Sequence, residues 1–327
     1  MRPFSWDSAS LDAKLSQTRA FLEDEAARAE PFVGKPISQS LARHGKMIRG
    51  ALVFATALGD GDSREDPLPF AAALEMLHMA SLIHDDVIDG ATMRRGQRAL
   101  HHQVGIPQAI LAGDWLLSRA LRLAGEQYSP DLFQFMTQCI EELCQSEIVQ
   151  DQERGRGTWD RRAYFQRIDG KTAALFRLAC RAGAHLSSQT SLDLEQLDRF
   201  ALSLGRVFQM SDDLLDYWTG VQDGKRCGVD LRSGVVSFPL LVALEHWPQI
   251  FEPLVARLTA QNRLIQRQIQ RQLIKHGGLV RSWQEIHSSF EQVHALAQEL
   301  SELPLLLKMS QRLHSHFEEF FPGLSMS

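Results

Sequence analysis

Apolar residues recur three and four apart along almost all of this chain, and that helical period limits the folds open to it more than any other feature. Residues 10–30, "SLDAKLSQTRAFLEDEAARAE", carry Leu11, Leu15 and Phe21 on such a pattern. "MIRGALVFATALG" predicts a second helix that stops at a glycine. Residues 66–89 predict a third, with Asp66 as its N-cap and Pro67 in its first turn. The stretches 106–127, 129–155, 159–188 and 191–220 each continue the period, as does the region from about 240 to 320. No run of alternating β-branched residues occurs, so strands are not expected. Residues 219–239, "TGVQDGKRCGVDLRSGVVSFP", are rich in glycine and charge and read as an ordered loop. With no linker to divide it, the chain is expected to form one all-α domain over residues 1–327.

At 44% hydrophobic residues over 327 positions, material for a large core is available. A formal net charge of -5 argues against a general nucleic-acid binder. The four cysteines, Cys139, Cys144, Cys180 and Cys227, form no CxxC pair and no zinc spacing. Scattered thiols suit a reducing compartment, and "MRPFSWDSASLD" lacks an apolar leader, so a cytoplasmic location is expected. Glu75, His78 or Asp114 interrupts the longest apolar runs, and none reads as membrane-spanning. Cys139, Cys144 and Trp115 read as core residues.

One stretch, "SLIHDDVIDGATMRRG" at Ser81–Gly96, follows the apolar run "FAAALEMLHMA" and crowds three acids and two arginines together. Asp85 and Asp89 would share a helix face, where like charges repel unless a cation lies between them. The pattern returns in "FQMSDDLLDYWTG", in which Asp212, Asp213 and Asp216 repeat the spacing of Asp85, Asp86 and Asp89. Two such helices facing one another across a cavity would aim carboxylates at one volume. Oxygen-only ligands select a hard cation, and magnesium fits because it keeps waters and is completed by substrate phosphates. Arg94, Arg95, Lys171 and Lys225 suit phosphate oxygens and not a metal. A DDxxD cluster standing alone is more often a solvated helix end; two copies in matching contexts argue against coincidence.

With these motifs the sequence resembles the trans-isoprenyl diphosphate synthases, the polyprenyl synthetase family. The resemblance covers residues 40 to 240 or so and rests on several elements. They are DDxxD followed by "MRRG", "FQMSDDLLD", Gly45, Lys46 and Arg49 in "HGKMIRG", Lys171 and Thr172 in "IDGKTAALF", and "GKRCGVDL" with Lys225. His78, seven residues before Asp85, matches a family histidine or glutamine. The resemblance implies an isoprenoid synthase fold, helices around a central cavity, in a homodimer. It implies condensation of isopentenyl diphosphate with an allylic diphosphate, with three Mg2+ ions per site when substrate is bound. Asp85, Asp89, Asp212 and Asp216 would be the metal set, with Asp86, Asp213 and Asp216 acting indirectly or through water. Arg94 would clamp the allylic diphosphate and Arg95 the isopentenyl diphosphate, beside Lys46, Arg49 and His78. Lys171, Thr172, Gln209 and Lys225 would complete the allylic site, and residues 219–237 would form a lid or a static loop. For His78 a role as a satisfied core histidine is an equal alternative. A lipid product implies transient membrane contact at its release.

The growing tail should run back along the helix that carries Asp85. Ser81, Ala80, Leu77 and Leu74 mark successive levels, each turn about 5.4 Å deeper. Short-chain relatives set an aromatic floor at the first level. Ala80 and Ser81 are small, so a product of C20 or more is expected, with C30 to C45 favoured. Several family positions differ. His44, Met47 and Gly50 stand where glycine, arginine and proline are usual, Arg98 and Ala99 follow RRG, and Val235 and Ser237 replace a family lysine and threonine. Loss of that lysine is worth about 1.5–3 kcal/mol of diphosphate binding. Two rivals stay open: a terpene cyclase on the same fold, and a non-catalytic regulatory subunit of another synthase.

Overall fold

The computed structural model describes residues 4–31, 34, 36–38, 45–58, 63–94, 97–153, 159–189, 192–222 and 228–321. Helices account for about four fifths of these, as the apolar period predicts. In chain order they are α1 (Ala9–Ala26), α2 (Ile48–Leu58), α3 (Leu68–Ile88), α4 (Leu100–Val104), α5 (Ile106–Gln127), α6 (Pro130–Glu153), α7 (Arg161–Ile168) and α8 (Ala174–Leu186). There follow α9 (Leu194–Gln222), α10 (Val229–Ser233), α11 (Phe238–His246), α12 (Pro248–Val255), α13 (Arg263–Lys275), α14 (Gly278–Glu299) and α15 (Pro304–Glu318). Strands were not expected, yet two of two residues each, β1 (Met93–Arg94) and β2 (Gln97–Arg98), pair antiparallel after α3. The stretch predicted as one helix over 159–188 is α7 and α8 joined by a π-helical turn, Asp169–Ala173. Within 219–239, α9 continues to Gln222 and α10 forms a further short helix; residues 223–227 lie outside the described set.

The chain forms two compact units. One comprises Met1–Gln138, Leu175–Asp198 and Leu300–Lys308. Its centre is α3, which packs on α5, α2 and α1. Every residue from Pro69 to Leu77 is buried, so this part of α3 is covered on all sides. Its first turn is tied down by two side chains. The Tyr128 hydroxyl accepts the Phe70 N–H at 3.1 Å and donates to the Asp66 carbonyl, while the Asp66 carboxylate accepts the Leu68 N–H at 3.1 Å. The residue at the cap position is Pro67, not Asp66, although Asp66 does the capping from one position earlier. At the start of α2 the buried Glu75 accepts the Gly50 N–H at 3.0 Å, a donor that the family's usual proline lacks. Cys139 is buried as expected, and so is Cys180, on which the sequence is silent, but Cys144 is exposed and Trp115 only half-buried. Cys144 points out because α6 turns its Met136, Cys139 and Leu143 face to the core.

The other unit comprises Cys139–Ala174, Arg199–Glu299 and Met309–Ser327. In it α11 is buried from Phe238 to Leu244 and packs on α14 and α12. Arg161 reaches both Glu245, at 2.8 Å, and Glu285, at 2.7 Å, joining α7 to α11 and α14. The buried Gln266 amide donates to the Thr259 and Ala260 carbonyls and closes the turn into α13.

Candidate active site

In the first unit the acids lie at the very end of α3. Asp85 is half-buried, Asp86 buried and Asp89 exposed, and Asp89 is the C-terminal cap. That end carries the negative pole of the helix dipole, which disfavours each carboxylate by about 0.3–1 kcal/mol. No basic side chain lies in the last turn. The hairpin supplies compensation from outside: Arg94 Nε on β1 stands 3.3 Å from Asp86 Oδ1. Burial raises the pKa of Asp86, and Arg94 opposes that rise. Asp86 therefore anchors the arginine, while Asp85 and Asp89 lie one turn apart at the helix end. Their oxygen donors at a negative helix end fit a hard divalent cation.

In the same unit, Arg49 is buried with its guanidinium 5.3 Å from the Phe176 ring centroid. Lys46 Nζ lies 5.7 Å from the Phe4 ring, and the Lys46 carbonyl accepts the Trp6 indole N–H at 3.0 Å. The next residue, Met47, has a φ of 48°, a left-handed conformation that turns the chain into α2. His78 is half-buried and its carbonyl accepts the Ser81 hydroxyl at 2.8 Å. Leu74, Leu77 and Ala80 are buried and Ser81 is half-buried, so the residues assigned to chain length line one helix inward from the acids. Arg95 lies outside the described residues, as does His44.

In the second unit the equivalent acids are built differently. Asp213 is buried and accepts three hydrogen bonds: from the Tyr164 hydroxyl at 2.8 Å, the Gln209 amide at 2.7 Å and the Phe238 N–H at 3.1 Å. Thr172 donates to the Gln209 carbonyl oxygen at 2.7 Å, so the KT element is wired to the aspartates through Gln209. The π turn makes this register: Asp169 is gripped by Arg206 at 2.6 Å on both oxygens, and Gly205 lets α9 close on it. A Cβ on Gly205 would lie 2.6 Å from Ala173 Cα. Lys171 Nζ meets Glu147 Oε1 at 2.5 Å. Asp216 spends both oxygens on the first turn of α10, accepting Val229 N–H at 2.8 Å and Asp230 N–H at 3.1 Å. Asp212 is half-buried on the same helix. Lys225 lies outside the described residues.

Sequence reasoning missed Tyr164, Glu147 and Asp230. Burial, then Asp213 and Asp216, push the Asp230 carboxyl up to about 8. Its place in "GVDL" was the only signal, since a lone acid in a loop carries no period. At the Val235 position, where the family has lysine, the Val235 N–H donates to the Asp230 carbonyl at 2.9 Å. Arg167 brings a cation to the adjacent Val236 carbonyl at 3.1 Å. A Tyr164→Phe substitution removes one hydrogen bond to the buried Asp213. It should cost about 1.5–3 kcal/mol of stability, read as a lower chemical-denaturation midpoint with an unchanged slope.

The polyprenyl synthetase family model matches residues 30–272. The chain is 36% identical over 236 residues to heptaprenyl diphosphate synthase component 2 of Geobacillus stearothermophilus, covering 70% of this chain and 73% of that one. It is 33% identical over 245 residues to decaprenyl-diphosphate synthase of Dictyostelium discoideum, covering 74% of this chain and 53%, about half, of that longer one. The crystal structure of heptaprenyl diphosphate synthase from Staphylococcus aureus superposes with a TM-score of 0.85 at 25% identity, over 93% of this chain and 98% of that one. The all-helical architecture is thus the isoprenoid synthase fold, and the chain belongs to the polyprenyl synthetase family.

Proposed function

We propose that this chain is a magnesium-dependent trans-prenyltransferase. It joins isopentenyl diphosphate head-to-tail to an allylic diphosphate and makes a medium- or long-chain polyprenyl diphosphate. The observation that carries the reading is the twin DDxxD arrangement on α3 and α9 in a polyprenyl synthetase chain. Relatives whose names specify hepta- and decaprenyl products support a product beyond C20. Small residues at Ala80 and Ser81 support it independently.

In this reading Asp85 and Asp89 from α3 and Asp212 from α9 hold Mg2+, and Asp216 holds the first turn of α10. When bound, magnesium supplies positive charge to the leaving diphosphate. Arg94 and Lys171, with Lys225, neutralise the allylic diphosphate oxygens, and Lys46, Arg49, Arg95 and His78 hold isopentenyl diphosphate. Thr172 and Gln209 fix the register of Lys171 against Asp213. The apolar wall of Leu74, Leu77 and Ala80 excludes water from the allylic cation, which water would quench to an alcohol. The isopentenyl double bond attacks the allylic carbon, and the proton lost goes to the released diphosphate.

Purified protein with magnesium, labelled isopentenyl diphosphate and an allylic primer tests this. Label in a long linear lipid is the expected result. A hydrocarbon formed without isopentenyl diphosphate would mean a cyclase, and no turnover would mean a regulatory subunit.

For assembly, α5 exposes Ile106, Ile110 and Leu111, at 53%, 41% and 60% of their surface. A second copy covering this face is the reading we favour. The relative named as a "component 2" favours a second reading, in which a different subunit covers it. Ile110→Glu with Leu111→Glu should convert the assembly to monomer, measured by light scattering during gel filtration. No helix of the described residues is long and apolar enough to cross a membrane. A cytoplasmic enzyme that touches the bilayer only to release product fits that observation.

A further inference from the structure

Beyond residue 272, where the family match ends, three histidines gather between α14 and α15. His287 and His294 lie seven residues apart on α14, with Glu291 between them, so all three occupy one helix face. From α15, His314 and Glu318 approach that face. His287 Nδ1 stands 2.9 Å from His314 Nε2, and His314 Nε2 stands 3.7 Å from Glu318 Oε1. The His294 ring centroid is 5.3 Å from that of His314, and its Nδ1 lies 3.8 Å from Glu291 Oε1. The buried His294 Nε2 has no hydrogen-bond partner.

The supporting surroundings are apolar and ordered. The His314 ring stacks on Phe290 at 4.4 Å and an interplanar angle of 8°, and Trp283 lies 6.2 Å away. Stacking fixes the imidazole plane. Burial and the two neighbouring histidines hold its pKa down to about 4. His287 and Glu318 are exposed, which leaves an entry path and room for a water.

We propose that His287, His314 and Glu318 form a binding site for one divalent transition-metal ion of the zinc class, which ties α14 to α15. The ligand atoms of this set lie within 4.8 Å of one another. Two nitrogens each about 2.0–2.1 Å from a tetrahedral ion sit about 3.3 Å apart, so the 2.9 Å pair opens by only a few tenths of an ångström. Imidazole with one carboxylate selects zinc, nickel, cobalt or copper over magnesium, which takes oxygen ligands. The same chemistry separates this site from the aspartate motifs. His294 with Glu291 forms a neighbouring set that also uses His314. We assign the ion to the His287 set because the shorter separations are there.

The test uses the full chain in excess Mg2+, which occupies the aspartates, and titrates Co2+ by visible absorption. One equivalent should produce the intense ligand-field bands of a four-coordinate ion with nitrogen ligands. His287→Ala and Glu318→Gln, both at exposed positions, should each weaken binding by at least about 100-fold, with the fold checked by circular dichroism. Asp85→Asn should leave the bands in place. The proposal is overturned if no such bands appear or if His287→Ala binds like the parent. It is equally overturned if His294→Ala alone abolishes the signal, or if Asp85→Asn removes it. Prenyl transfer in Mg2+ alone should be unchanged in His287→Ala, which separates this proposal from the functional reading above.

Discussion

Asparagine at position 85 or 212 is expected to lower kcat for prenyl transfer by about 10³-fold, the several kcal/mol that a bound cation contributes to leaving-group charge. Folding should be unaffected or slightly improved. Asp85 sits at the negative end of α3, where removing a charge relieves about 0.3–1 kcal/mol of unfavourable interaction. Asp213→Asn provides the contrast. Its carboxylate accepts bonds from Tyr164, Gln209 and Phe238, so asparagine turns one acceptor into a donor facing donors. That variant should lose stability as well as activity. Steady-state kinetics beside urea melts distinguish the two behaviours: a drop in kcat with an unmoved midpoint for Asp85 and Asp212, and a moved midpoint for Asp213. If Asp85→Asn retained turnover, the first motif would not hold the catalytic ions.

The second large effect is on product length. Ser81→Phe should cut the product to no longer than about C20, because residue 81 lies four positions, or about 6 Å, before Asp85 along α3. Ser81 is half-buried and its hydroxyl bonds only locally, to the His78 carbonyl, so an aromatic ring can be accommodated by turning away from the backbone. Ala80→Phe is a poorer probe, since Ala80 is 2% exposed and overpacking there costs about 1–3 kcal/mol. Chromatography of dephosphorylated products reads the outcome directly. An unchanged distribution would place the tail elsewhere than along α3.

Much of this was legible in the sequence. Helix α5 occupies Ile106–Gln127, the residues its period marked, because Gly105 and Pro107 start it and Pro130 opens the next helix. The DDxxD pair was legible because it breaks the amphipathic pattern twice in the same way. What the three acids of each copy do was not. Asp86 turns to Arg94, Asp213 to Tyr164 and Asp216 to the α10 amides, and each partner is distant in sequence or fixed by a turn. The π turn at Asp169–Ala173 also escaped, since "DGKTA" continues a helical period. It is imposed from outside, by Arg206 on Asp169 and by the close approach of Gly205 to Ala173. The β1–β2 pair, two residues to a strand, is too short to leave any alternation.

Crystals grown with Mn2+ and inorganic diphosphate, measured at the manganese absorption edge, show whether the two aspartate motifs share one cation site. Anomalous peaks are expected about 2.1 Å from carboxylate oxygens of both Asp85 and Asp212, bridged by a single diphosphate. Manganese at one motif only, or two peaks in separate regions of solvent with no shared diphosphate, would contradict a shared site.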